Sequence, residues 1–159
     1  MSDVIVCQAD FDVGLEYSNL CAASPHSGAV VFFVGRVRDL YGAAELSGAE
    51  NNIEYLELEH YPGMTESLCE KIIDNAAECF SFDKARVIHR VGKIYASEQI
   101  VMVAVASRHR ESAFKAASYI MDYLKTGATF WKKEVGTNGK HWLKTKDNDM
   151  AAIKHWEQP

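Results

Sequence analysis

The sequence predicts an α+β domain, and three observations carry that expectation. Short runs rich in β-branched and aromatic residues recur along the chain. Two segments place apolar residues at helical spacing. The order of these segments is β, β, β, α, β, β, α, β, β, which clusters strands instead of alternating them with helices as a doubly wound sheet would.

Val4 to Gln8 is a short apolar run and a first strand. Residues 11–27 read as a loop with one helical turn at most. Gly28 to Gly35 (Gly-Ala-Val-Val-Phe-Phe-Val-Gly) reads as a buried strand bounded by glycine. Arg36-Val37-Arg38-Asp39 follows, then a Gly/Ala/Asn-containing stretch to Asn52 that is long for a connection. Ile53 to His60 is a charged strand, broken by Tyr61-Pro62-Gly63.

From Thr65 to Phe80 the apolar positions Leu68, Ile72, Ile73, Ala76, Ala77 and Phe80 keep helical spacing. Val87 to Val91 and Gln99 to Ala106 read as two more strands, with Gly92 between them. Ser107 is a candidate cap for a second helix, with Ala113, Phe114, Ala117, Ile120, Met121 and Leu124 facing inward. Lys125 ends that helix and Gly127 stops it. Thr129 to Val135 and His141 to Lys144 pair as a hairpin across Gly136-Thr137-Asn138-Gly139. The tail from about Asp147 carries Trp156 and is expected to dock elsewhere.

The length of 159 residues suits one domain spanning 1–159, able to bury about two-thirds of its unfolded surface. The N-terminus lacks the basic and apolar regions of a signal peptide, and the longest apolar runs are too short to cross a bilayer. A soluble, cytoplasmic protein is the expectation, with no membrane partner. The four cysteines form no C-x-x-C pair and no zinc-type spacing, so idle thiols and no metal are expected.

The net charge of −5 argues against a nucleic-acid partner. Its distribution says more. Residues 1–60 hold ten acidic side chains but only two basic ones, Arg36 and Arg38. Residues 125–146 hold six lysines against Glu134 alone. Local cation clusters in an acidic chain point to a focused anion site.

Arg36 and Arg38 stand at i and i+2, a spacing that shares a face on extended backbone. Two guanidinium groups on one face suit a phosphate or carboxylate. A solvated strand end explains the spacing equally well. Ser107-Arg108-His109-Arg110 opens the second helix, where free N–H groups and the macrodipole favour an anion. Basic residues are unfavourable there without one, although a structural histidine between solvated arginines is the plain alternative.

Lys125 closes the second helix and Lys132 follows Phe130-Trp131. Cations and apolar walls nearby can turn a lysine into a nucleophile. Taken singly, Lys125 is better read as the cation that a helix C-terminus favours. His60, Tyr61 and His89 read as strand-end packing, and no phosphate-cradling glycine loop is present.

Five blocks in order resemble a known family. They are Gly28-Ala-Val-Val-Phe-Phe-Val-Gly-Arg-Val-Arg-Asp, Leu56-Glu-Leu-Glu-His-Tyr-Pro-Gly-Met-Thr-Glu, His89-Arg-Val-Gly, Ser107-Arg-His-Arg, and Met121-Asp-Tyr-Leu-Lys-Thr with Phe130-Trp-Lys-Lys-Glu. Together they are similar to the molybdopterin synthase catalytic (large) subunit family. The resemblance implies an α/β-hammerhead-like domain with additional antiparallel β structure. It implies a sulfurtransferase of molybdenum cofactor biosynthesis that converts cyclic pyranopterin monophosphate to molybdopterin. The sulfur would come from the C-terminal thiocarboxylate of a small ubiquitin-like partner subunit. A homodimer of large subunits within a heterotetramer is implied too, with no cofactor and no metal.

Residue by residue, the resemblance implies that Lys125 and Lys132 are catalytic. It implies substrate binding by Arg36, Val37, Arg38, His109, Arg110, Lys125, Lys132, Lys133 and Glu134. The family often carries lysine where Arg36 stands, and a basic residue and a proline within the segment that reads Thr126-Gly127-Ala128-Thr129 here. Two rivals remain. One is a non-catalytic module that binds an anion or a peptide tail with the same cations. The other is a Schiff-base enzyme using Lys125 on a carbonyl substrate.

Overall fold

A computed structural model describes residues 2–38, 53–127, 130–137, 139–143 and 147–157. The stretch to Asn52, the expected hairpin ends at Thr129 and Lys144, and Ala128 between Gly127 and Thr129 lie outside the described residues.

The expected α+β class holds, with four helices and eight strands among the described residues. In chain order these are β1 (Ser2–Cys7), α1 (Val13–Ala23), β2 (Ala29–Arg36), β3 (Ile53–His60), α2 (Met64–Cys79), β4 (Lys84–Arg90), β5 (Gly92–Tyr95), β6 (Gln99–Ser107), α3 (Arg110–Gly127), β7 (Phe130–Gly136), β8 (Gly139–Trp142) and α4 (Asp147–Trp156).

The strands form two four-stranded sheets. The first runs β1-β4-β6-β2, with β1 parallel to β4 and the other pairs antiparallel. The second runs β5-β3-β7-β8 and is antiparallel throughout. α2 and α3 cover one face of the first sheet and α1 the other. The alternation of β6 follows from this sandwich. Val101, Val103 and Val105 join the core under α2 and α3, while Met102, Ala104 and Ala106 meet Leu20 of α1.

Four local expectations need correction. Residues 11–27 contain an eleven-residue helix, α1. Asp12 caps it, its Oδ1 accepting from the Leu15 N–H at 3.0 Å, and Glu16 reaches Arg86 of β4 at 3.0 Å. Only Leu20 of this helix is buried, so no apolar stripe announced it. The run 28–35 is an edge strand, not a buried one: Phe33 is 41% exposed, and β6 is the strand buried on both faces. Phe114 is 61% exposed, because α3 packs through Ala113, Ala116, Ala117, Tyr119, Ile120 and Leu124. Gly92 opens a strand of its own, β5, which pairs with β3.

Ser107 also differs from its expected role. It is the last residue of β6, buried, and its hydroxyl donates to the Ser81 carbonyl at 3.0 Å. The first helical residue of α3 is Arg110. The tail from Asp147 forms α4, which packs along α3 of its own chain.

Candidate functional site

Four elements bring charged side chains to one open pocket of about 750 Å³. Arg36 and Arg38 arrive from the end of β2, Lys125 from the end of α3, Lys132 and Glu134 from β7, and Asp149 from α4. The count is four cations against two carboxylates. Apolar side chains such as Ile100, Met121 and Phe130 supply the walls. Cations facing one another across apolar walls hold an anion more firmly than cations in open water, because the surroundings screen them less.

The end of β2 is fixed by its contact with the β5–β6 turn. Register slips between Gly35 and Arg36, and a side chain at Gly35 would meet Val101 Cγ1 at 2.7 Å. Arg36 Nε and Nη2 both donate to the Ser97 carbonyl, at 2.8 and 2.6 Å. Val37 is buried, donating to the Glu98 carbonyl at 2.9 Å and accepting from the Ser97 N–H at 2.8 Å. Ser97 itself takes the left-handed backbone, at φ 70°. Val37 is therefore an anchor whose backbone groups are already used. Arg38, exposed beyond it, is the arginine of this pair left to face a ligand.

Strand alternation separates the residues of β7. Register places Lys132 opposite Leu58 and Glu134 opposite Leu56, on the inner face with the pocket. Lys133 pairs with Glu57 on the outer face, its Nζ 3.7 Å from the Glu57 carboxylate and 5.3 Å from the Trp142 ring centroid. Lys133 therefore lies outside the pocket.

His89 forms part of the pocket floor and was read from sequence only as packing. It is buried, its ring stacked on Phe130 at 3.8 Å and 14°. Its Nδ1 lies 2.8 Å from the Arg90 carbonyl, so Nδ1–H donates there and Nε2 keeps its lone pair. Burial pushes the imidazole down to about 3; nearby Lys132 and His60 act the same way, and the Arg90 carbonyl opposes them. The ring is thus neutral at physiological pH. It also clamps the start of β7, the strand that carries Lys132.

Lys125 Nζ lies 3.5 Å from Asp149 Oδ1, an ion pair that joins the ends of α3 and α4. His109 and Arg110 are not part of this pocket within one chain. They are exposed at the opposite end of α3, and fifteen helical residues separate Arg110 from Lys125, about 22 Å. Among the described residues no three His, Cys, Asp or Glu side chains converge as a metal-binding group. Cys69 lies on the buried face of α2, and burial pushes its thiol up to about 12, so it offers no thiolate.

The chain matches the family model described as MoaE protein over residues 6–127. A molybdopterin synthase catalytic subunit from Vibrio cholerae is 46% identical over 154 residues, covering 97% of each chain. The solved structure of the molybdopterin biosynthesis MoaE protein from Burkholderia ambifaria superposes with a TM-score of 0.83 at 40% identity, covering 100% of both chains. A protein–protein complex of subunits 1 and 2 of molybdopterin-converting factor from Helicobacter pylori contains a chain of the same fold. Its TM-score is 0.68 at 20% identity, over 91% of each chain.

Proposed function

This chain belongs to the MoaE family of molybdopterin synthase catalytic subunits, and from that premise we propose how its pocket performs sulfur transfer in molybdenum cofactor biosynthesis. The substrate is cyclic pyranopterin monophosphate. The donor is the C-terminal thiocarboxylate of a small ubiquitin-like partner subunit, whose extended tail enters the pocket. The two-subunit complex from Helicobacter pylori supports a partner of that kind. In each round the thiocarboxylate sulfur bonds to a pterin side-chain carbon as a C–O bond of that carbon breaks and its oxygen leaves. Water then adds to the acyl carbon, the acyl C–S bond breaks, and the partner tail leaves as a carboxylate while the sulfur stays on the pterin. Two rounds complete the dithiolene.

The observation that carries this reading is the convergence of Arg38, Lys125 and Lys132 from three separate elements on one pocket. Arg38 holds the cyclic phosphate, with Arg36 adding charge behind it. Lys125 acts at the reacting centre as nucleophile or proton-transfer group, and Lys132 assists. Lys132, and Lys125 whenever it carries its proton, stabilise the anionic intermediates that the acyl and pterin carbons pass through. Glu134 faces the same space and contributes to placing the pterin ring. Val37 and Lys133 act indirectly, Val37 by anchoring Arg38 and Lys133 from the outer face of β7.

His109 and Arg110 enter through a second copy of the chain. They sit too far from Lys125 to serve the same pocket within one protomer, and the homodimer at the centre of a heterotetramer lets one copy offer them to its neighbour. Among the described residues no helix is long and apolar enough to cross a membrane, and we assign the reaction to the cytoplasm.

The test is reconstitution. The chain is mixed with thiocarboxylated small subunit and cyclic pyranopterin monophosphate, and dithiolene product is measured. Product at the expense of the thiocarboxylate is the expected result. Binding of both ligands without conversion would instead favour the anion-binding module.

A further inference from the structure

α4 runs antiparallel along α3 and meets it at two anchors. At one, the Trp156 indole N–H donates to Asp122 Oδ2 at 2.9 Å. The Trp156 ring also meets Phe80 and Tyr119 edge-on, with centroids 5.7 and 5.5 Å away. At the other anchor, Asp149 pairs with Lys125 at 3.5 Å. Asp122 and Lys125 are three residues apart, on one face of α3. Asp149 and Trp156 are seven apart, two turns of α4, and again share a face. Two matched anchors therefore fix which residue of α4 reaches the pocket.

A carboxylate in this pocket is a cost to anion binding, since it repels the phosphate that the cations attract. The charged groups facing Lys125 come from each surrounding element. They are Arg36 and Arg38 beyond β2, Lys132 and Glu134 on β7, and Asp149 on α4, with neutral His89 beneath. Asp149 is the more sheltered member of its pair, at 23% side-chain exposure against 44% for Lys125. A lysine on a flexible four-carbon stem samples many rotamers, and a fixed carboxylate within ion-pair distance narrows that set.

We infer that Asp149 is a positioning residue for the reaction: carried on the C-terminal helix and latched by Trp156, it holds the Lys125 ammonium at the pocket until an anionic group of the ligand takes its place. The inference rests on Lys125 being the catalytic centre, as proposed above. It assigns the tail helix a part in the chemistry beyond packing.

Asp149→Asn tests it in the reconstituted synthase. The expected result is a kcat lowered roughly three- to tenfold, the range for a loosened but solvent-screened contact. KM for cyclic pyranopterin monophosphate stays level or falls, because a negative charge has left an anion pocket. Asp149→Glu restores kcat by keeping the charge. Trp156→Phe keeps an aromatic ring but loses the indole donor, and gives the same pattern at smaller size. In parallel, labelling of Lys125 by an amine-directed acylating reagent is followed at one pH by peptide mass spectrometry. It accelerates about two- to fivefold in Asp149→Asn, as release of an exposed ion pair allows.

Wild-type kcat and labelling in Asp149→Asn would overturn the inference. So would a lower kcat with a higher KM, a lower Tm and unchanged labelling, which is the mark of a packing contact alone. Lys125→Ala assayed alongside keeps the two claims apart. Full turnover there removes the underlying reading, whereas an inactive Lys125→Ala beside an unaffected Asp149→Asn removes only this one.

Discussion

At its C-terminal end α3 delivers Lys125 into a pocket walled by β2, β7 and α4. At its N-terminal end the same helix presents Arg108, His109 and Arg110 to solvent. Both ends carry cations, and local helix physics alone favours an anion at the N-terminal end. There the free N–H groups and the dipole both favour an anion, whereas a lysine at a helix C-terminus is ordinary. The folded chain adds the surroundings that local physics leaves out. What makes Lys125 a candidate is the set of elements that converge on it, of which only β7 follows it directly in the chain. The N-terminal end has the local chemistry, but among the described residues its Arg108, His109 and Arg110 stand exposed.

Subunit mixing gives the largest effect that could break this contrast. A Lys125→Ala chain and an Arg110→Ala chain are each expected to be nearly inactive alone. Mixed after dissociation, they regain about a quarter of wild-type activity, because random pairing leaves half the chains in heterodimers with one intact site each. No recovery would mean that both ends of α3 serve one protomer, contrary to the 22 Å estimate of about 1.5 Å per residue.

A second prediction sharpens what supports the C-terminal end. The folded chain holds His89 neutral down to about pH 3, while an unfolded histidine takes its proton near 6.5. The unfolded state therefore binds more protons across that window. The stability from keeping His89 neutral is present above about pH 6.5 and is lost as pH falls toward 3, by up to about 1.4 kcal/mol per pH unit. Urea unfolding at pH 7, 5 and 4 reads this slope. His89→Phe, which cannot titrate, should flatten it, and an unchanged acid limb would show that other groups set it.

The smallest expected effect concerns Arg36. Its guanidinium is occupied by the Ser97 carbonyl, so it supports the pocket as charge and not as a ligand fork. Arg36→Lys should change kcat/KM by less than about threefold, since it keeps the charge and loses only the fork. The same substitution at Arg38 should cost clearly more. Equal losses at the two positions would contradict the distinction.

Much of this was legible in the sequence, for identifiable reasons. Period and punctuation exposed α2 and α3, each of which buries one face, and Gly136 and Gly139 exposed the β7–β8 hairpin. Hydropathy could not tell that Gly28–Gly35 is an edge strand, since centre and edge strands share a composition and differ only in what pairs with them. α1 was missed because its stability comes from a cap and the Glu16–Arg86 pair instead of an apolar stripe. One signal was available and unused: alternation on β7 separates Lys132 from Lys133 without any structure. Asp149 carried no signal at all, because its meaning depends on a helix–helix contact with residues more than twenty positions away.

The most direct measurement of the central claim is sulfur transfer by Lys125→Ala in the reconstituted synthase, with thiocarboxylated small subunit and cyclic pyranopterin monophosphate at saturation. The account predicts a turnover reduced by about a hundredfold or more, with both ligands still bound, as expected when a group acting at the reacting atoms is removed. Turnover at the wild-type rate would contradict it.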